Sequence, residues 1–468
     1  MPGKSKDQRN KPRPNTKLNQ LPGEGEVVAF HLCKENQETM HSIQTIAKLG
    51  GLQPKNITSA GTKDRRGVTT QVITVQRANP ERLAGLNKRL VGMRVGDFHR
   101  MTRLLKLGDL YGNRFTVTLR DLQLDVAQAT PEVSQWIQNG FINYFGLQRF
   151  GNSPGSATHD IGRAILQGNA ENAVNLILQP RPEEVGEMAE VRQAWQTNRD
   201  ANAIFKRVPR RCVAERDVLF HLAKRGAKDF AGALQAIPFH LRSLYLHGYQ
   251  SYVWNHMASE RIRLYGASQL VPGDLVVVSK EQPSEEVPST IDASDKPNDA
   301  SEGKRSPHEQ VEVVTEDTVN QYSIADLVLP LPGFDMKYPT NAVGQAYVDF
   351  MKRDQLDPLQ MKRAVKNTSL PGSYRRVLGQ VEDATFKFIR YEDPSQPLCI
   401  TDMDRAQNRE VPAILDQGQH LALQVEFTLR SSCYATMCLR ELTRTSSSPA
   451  FNTSLTKQHA QPPKPSTE

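Results

Sequence analysis

From Leu421 to Leu429 every odd-numbered residue is apolar, with Ala422, Gln424, Glu426 and Thr428 between them. This period-two alternation belongs to a strand with one buried and one solvated face. Shorter runs of the same kind occur at Val28–Leu32, Phe115–Arg120 and Phe386–Phe388, so strands fall at both ends of the chain. Residues 153–375 follow a helical period instead, as in IGRAILQGNAENAVNLILQ, EVGEMAEVRQAWQ and LHGYQSYVWNHMASERIRLYG. A strand-rich domain split by a mainly helical insertion is the simplest arrangement consistent with both periods. One helix is also expected among the first strands, where Met40, Ile43, Ile46 and Leu49 follow Thr39 as N-cap. No repeat of fixed period is present.

Three segments are expected to be disordered. Residues 1–25 form a basic arm, with Lys4, Lys6, Arg9, Lys11, Arg13 and Lys17 against Asp7 and Glu24. Residues 281–310 form an acidic surface loop: from Lys280 to Gln310 eight residues are acidic and four basic. The tail over 445–468 has few core-forming residues. The remainder, in a chain of 468 residues with 38% hydrophobic content, suffices for a sizeable core.

Several chemistries lack their usual local signatures. The five cysteines are scattered with no C-x-x-C pair, and H-E-x-x-H, G-x-x-x-x-G-K-[ST] and G-x-G-x-x-G are absent. No apolar run approaches the roughly 18 residues of a membrane span, and the Met1 end lacks a signal-like apolar stretch, so a soluble intracellular protein is expected. With a formal net charge of +8, nucleic acid is the first partner class to consider.

Four segments could carry chemistry. AGTKDRRGVTTQ (60–71) sets Asp64 among Lys63, Arg65 and Arg66 in a loop bounded by Gly61 and Gly67, leading into a strand-like Val72–Val75 run. The cations favour an ionised carboxylate suited to act as nucleophile or general base, or the segment is a solvated charged turn. FINYFGLQRFG (141–151) joins aromatics able to stack a base, an amide at Asn143 and Arg149, or else supplies core. RSSCYATMCLREL (430–442) takes the long strand through small residues into a helix, or is an ordinary strand-to-helix junction that buries Cys433 and Cys438. LKLGDLYGNRF (105–115) puts Lys106 and Arg114 beside a strand or on a solvated hairpin.

Taken in order, AGTKDRRGVTTQ, LKLGDLYGNRFTVTLR, NYFGLQRFG, LPLPGFD (329–335) and YATMCLRELT (434–443) resemble the TruD-type pseudouridine synthases. KENQETM (34–40) and HGYQSYVWN (247–255) resemble the eukaryotic branch, and the resemblance runs from about residue 26 to 443. It implies an α/β (α+β) fold: a two-lobed catalytic domain with a mixed sheet, 26–152 and 376–444, interrupted by an inserted mainly helical TRUD domain, 153–375. It implies an isomerase that turns a uridine into pseudouridine within tRNA, position 13 being the family expectation, with other tRNA, mRNA or snRNA sites besides. The implied partner is RNA, with no cofactor, metal or membrane; the chain is expected to be a monomer, nuclear with a cytoplasmic share.

By the same resemblance Asp64 matches the catalytic aspartate, attacking C1′ or acting as base in an elimination. Asn143 matches an amide that contacts the target nucleotide, and Tyr434 stands where bacterial relatives have a Phe against the uracil. Phe145 is expected to line the same pocket; Lys63, Arg65 and Arg149 are assigned by their chemistry to phosphates. The departure is ahead of Val27, where the family has a basic residue and a D-F pair and this chain has a polar arm. The first strand and part of the pocket are therefore expected to be absent, and the alternative is a catalytically impaired RNA-binding member of the same fold.

Overall fold

The computed structural model describes residues 21–151, 157–182, 184–278, 311–362, 369–410 and 417–446. The acidic 281–310 loop, residues 1–20 of the basic arm and the tail from 447 lie outside the described residues. Two compact units are present. The first holds the chain up to Gly112 with Thr116–Leu124 and Thr385–Glu426; the second holds Asn113–Phe115, Asp125–Ala384 and the chain from Phe427.

The first unit opens with β1 (Val27–Glu35), α1 (Thr39–Gly50), β2 (Ile57–Ser59), β3 (Val68–Gln76), α2 (Pro80–Gly85), β4 (Met93–Met101) and most of β5 (Gly112–Leu119). Its sheet runs β2-β3-β1-β4, with β1 antiparallel to both neighbours. Paired along both edges and packed by α1 on one face, β1 is buried along its length except at His31 and Glu35. Phe30, Leu32, Ile73 and Val75 are wholly enclosed and pack with Ile43 and Ile46 of α1. Enclosing such a side chain is worth roughly 1.5–3 kcal/mol. The end of the arm is ordered: the Arg100 N–H donates to the Pro22 carbonyl at 2.8 Å, and Gly23 bridges Arg100 in parallel. Residues 21–25, expected to be disordered, thus lie along β4.

The second unit is mainly helical: α3 (Val126–Asn139), β6 (Phe141–Ile142), α4 (Thr158–Leu166), α5 (Ala170–Leu178), α6 (Glu187–Asn198), α7 (Ala201–Ile204), α8 (Val213–Lys224), α9 (Phe230–Ala236) and α10 (Phe239–Tyr265). There follow β7 (Leu275–Val277), β8 (Val311–Val313), β9 (Leu327–Leu331), α11 (Ala342–Arg353), β10 (Ser373–Arg376) and β11 (Leu378–Gly379). β12 (Glu382–Tyr391), α12 (Asp402–Gln407), β13 (His420–Arg430) and α13 (Ala435–Thr443) complete the chain. The alternation over 421–429 does form β13, which lies between β12 and β5 in a three-stranded sheet.

Close approach of α4 to α10 requires small residues, since a Cβ at Gly162 would sit 2.0 Å from the Tyr245 carbonyl oxygen. α10 in turn lies on a sheet ordered β10-β9-β7-β8, which helical periodicity in this region does not anticipate. The Trp254 indole donates to the Leu329 carbonyl at 3.1 Å, Gln250 to Pro332 at 2.7 Å, and Tyr347 of α11 to Pro330 at 2.7 Å. The first two bonds join HGYQSYVWN to LPLPGFD, so both motifs serve the packing of α10 on β9, and α11 adds the third. No described helix is long and apolar enough to cross a membrane.

Candidate active site

In the first unit the AGTKD loop connects β2 to β3, and its backbone is fastened from β1 and α1. Lys34 is wholly buried, its Nζ donating to the carbonyls of Gln37 at 2.7 Å, Asp64 at 2.8 Å and Lys63 at 3.4 Å. The Thr39 hydroxyl accepts from the Lys63 N–H at 3.0 Å, and the Gln71 amide donates to the Gly61 carbonyl at 2.9 Å. Asn36 closes the far side, donating its N–H to the Gly67 carbonyl at 3.0 Å and accepting from the Gly67 N–H at 3.2 Å. On the near side Gly108 donates to the Ala60 carbonyl at 2.9 Å, bringing LKLGD against the start of the loop.

The helix after β1 therefore starts differently from expectation. Glu38 is the N-cap of α1 and makes no side-chain capping bond, while Thr39 is the first helical residue. Its hydroxyl holds the loop instead of the helix end, a local preference overridden by a tertiary contact.

The consequence is a fixed backbone carrying an exposed carboxylate at Asp64. Burial pushes the ammonium groups of Lys34 and Lys63 below the usual lysine value, and the Asp64 charge pulls both back up. Arg65 is exposed and lines a cavity of about 640 Å³ with Asn36, Gln37, His41 and Arg89.

The second unit gathers Asn143, Phe145 and Tyr434 around a residue not anticipated from sequence, Arg375, with the Arg149 guanidinium 5.7 Å from the Phe145 ring centre. The Arg375 guanidinium is fully buried; Nε donates to the Asn143 carbonyl at 2.9 Å, and Nη2 to Asn143 Oδ1 at 2.7 Å and to the Ser432 carbonyl at 2.9 Å. It lies 4.0 Å from the centre of the Phe145 ring, 5.4 Å from Trp254 and 5.9 Å from Tyr434. A desolvated cation among aromatic faces is held by their quadrupoles as well as by its hydrogen bonds.

Asn143 is 4% exposed, its Nδ2 donating to the Arg376 carbonyl at 3.2 Å, so the amide is engaged at both ends within the protein. Phe145 is buried, its backbone N–H and carbonyl bound to the Asn255 amide at 2.9 and 3.1 Å. Arg149 spends Nε on the Ser251 hydroxyl at 3.2 Å. Tyr434, the half-buried N-cap of α13, meets Phe145 edge-on at 6.1 Å; a Cβ at Gly146 would come within 2.8 Å of its ring. The glycine of NYFG is thus needed for Tyr434 to lie where it does.

Arg375→Met is expected to destabilise the protein by about 3 kcal/mol, because the Asn143 and Ser432 oxygens lose their donor inside the core. Urea unfolding checks this, and an unchanged midpoint would show that the guanidinium is dispensable to this cluster.

Similarity to known proteins extends over nearly all of the chain. The family model for tRNA pseudouridine synthase D (TruD) matches residues 11–442. Multisubstrate pseudouridine synthase 7 of Schizosaccharomyces pombe is 40% identical over 427 residues, 90% of this chain and 62% of that protein. The human pseudouridylate synthase 7 homolog is 37% identical over 420 residues, covering 89% of this chain and 59% of its own length. The crystal structure of the TruD protein from Methanosarcina mazei aligns with a TM-score of 0.66 at 26% identity, over 91% of this chain and 90% of that one. The chain thus spans about three fifths of the length of these curated relatives.

Proposed function

This chain belongs to the TruD family of tRNA pseudouridine synthases, and from that premise we propose that it isomerises a uridine within RNA to pseudouridine, with Asp64 as the reacting carboxylate. The observation that carries the assignment is an exposed carboxylate on a loop whose backbone is fastened by Lys34, Thr39 and Gln71. A catalytic group must be held in one geometry to gain from proximity, and this loop supplies that.

The N1 to C1′ bond breaks, the uracil turns while still held, and C5 bonds to C1′. The hydrogen on C5 leaves to water while N1 gains a proton, so nothing is oxidised or hydrolysed. Asp64 either adds to C1′ and is later displaced by C5, or removes the C2′ proton and later returns it. The target leaves its stack to reach the loop, an unstacking that costs a few kcal/mol and is offset by contacts in the pocket. By the family resemblance Tyr434 is the residue whose ring faces the uracil, and within the second unit that ring is packed by Phe145 and Arg375. With its amide engaged, Asn143 acts through the Arg375 cluster, and Lys63, Arg65 and Arg149 attract phosphates.

Tyr434→Ala is expected to lower kcat/KM about tenfold to a hundredfold, the worth of one stacked base, whereas Tyr434→Phe stays within about threefold. Equal losses in the two variants would assign the tyrosine hydroxyl, not the ring, to the reaction.

In this reading 26–152 and 376–444 form one catalytic domain, 153–375 is an insertion that helps to select tRNA and other RNAs, and the enzyme is a monomer. The basic stretch from Lys4 to Lys17 supports nuclear import, with a cytoplasmic share. The test is release of tritium from tRNA transcripts labelled at uridine C5 by the wild-type protein, without metal or nucleotide. Release supports the synthase; salt-sensitive RNA binding with no release would make the chain a non-catalytic RNA binder.

A further inference from the structure

A second basic region, built from none of the residues assigned to chemistry, is found around α7 and α8 of the helical unit. Between Ile204 and Lys228 the chain holds eight Lys or Arg residues against two acidic ones, Glu215 and Asp217. Glu215 is taken by the buried Arg192 at 2.6 Å, and Arg207 pairs with Glu190. Among the described residues Arg210, Arg211, Arg216 and Lys224 form no ion pair, and all four are exposed. Asp217, beside Arg216, is the one nearby acid left to offset them, so the segment stays net basic.

The same face carries aromatic surface. α8 buries Ala214, Val218, Leu219 and Leu222. Arg216, Phe220 and Lys224 recur at four-residue intervals on the opposite side, forming one stripe. Phe220 is 52% exposed, which the packing of α8 does not require. It meets Phe205 edge-to-face at 6.0 Å, while the ammonium groups of Lys224 and Lys206 stand 5.1 and 6.0 Å from the Phe205 ring centre. Interleaved cations and aromatics suit a polymer that presents a phosphate and a base at each step.

We propose that the α8 stripe of Arg216, Phe220 and Lys224, with Phe205 and Lys206 beside it, is a docking surface for an unpaired stretch of the RNA substrate remote from the reacting uridine. This rests on the reading of the chain as an RNA-modifying enzyme. The stripe raises affinity for long substrates and takes no part in bond rearrangement.

The full chain is compared with Arg216→Gln/Lys224→Gln and with Phe220→Ala, using a whole tRNA transcript and a short C5-tritiated oligonucleotide bearing the target. For the transcript KM is expected to rise about tenfold with kcat within twofold, and the double variant should lower the slope of log affinity against log salt by about 1.4, the worth of two single-strand phosphate contacts. The short oligonucleotide should be indifferent. In the wild type, 4-thiouridine-substituted transcript should cross-link to the peptide containing Phe220, a readout independent of any variant's folding. Unchanged KM and salt slope, or cross-links that never include α8, would overturn the proposal while leaving a wild-type synthase intact. RNA binding through the stripe without tritium release would instead overturn the synthase reading and retain the dock; a wild type that binds no RNA overturns both.

Discussion

Asp64→Asn is expected to abolish isomerisation, by at least about a thousandfold, while RNA affinity stays within a few-fold of wild type. The substitution keeps the shape of the side chain and removes its charge and basicity. The bonds that fasten the loop do not involve the carboxylate: Lys34 binds the Asp64 carbonyl, Thr39 binds the Lys63 N–H, and Gln71 binds the Gly61 carbonyl. The loop should therefore keep its course. Removing a negative charge beside a polyanion tends to strengthen binding, so any loss of affinity would come from elsewhere. Tritium release and filter binding measured on one preparation separate the two effects. If affinity falls as far as turnover, Asp64 serves the shape of the loop and the proposed chemistry is wrong.

The exposed carboxylate was legible because its signal is local. A single acid among cations between two glycines reads as a presented charge, and period two marked β1, β5, β12 and β13 on side-chain alternation alone. What escaped depends on partners distant in sequence. Arg375 is one of two adjacent arginines in SYRR, and nothing local distinguishes it; its role appears only when Asn143, Phe145, Trp254 and Ser432 close around it. The sheet of β7 to β10 escaped for another reason. β7 (LVV) and β9 (LVLPL) are apolar runs too short to separate strand from helix, and β8 (VEV) and β10 (SYRR) are three- and four-residue strands with too little pattern to mark either. Thr39 satisfied the local rule for an N-cap, yet the loop claims its hydroxyl.

Lys34 stands between these cases, and its replacement carries the second large effect. It continues the Val28, Phe30, Leu32 face of β1, a core register in which an ammonium group is costly unless every donor is used. All three carbonyls it serves lie within the KENQ turn or the Asp64 loop. Lys34→Met keeps the length and apolar stem but leaves those oxygens without their donor, for a destabilisation of about 2–4 kcal/mol. Because two of them are the carbonyls of Lys63 and Asp64, the loop should also shift, and a misplacement on the order of 1 Å can cost about a hundredfold in kcat. The stability gap has a definite pH dependence. Burial lowers the Lys34 value below 10.5, so as pH rises toward 10.5 the folded protein releases this proton before the unfolded chain does. The unfolded state then binds more protons, wild-type stability rises from this group, and its advantage over Lys34→Met widens. Urea unfolding of both proteins at neutral and alkaline pH, with tritium release at neutral pH, reads all three effects. Lost stability with unchanged kcat would reduce Lys34 to a packing residue, whereas loss of both, with RNA affinity kept, would make it the residue that positions Asp64.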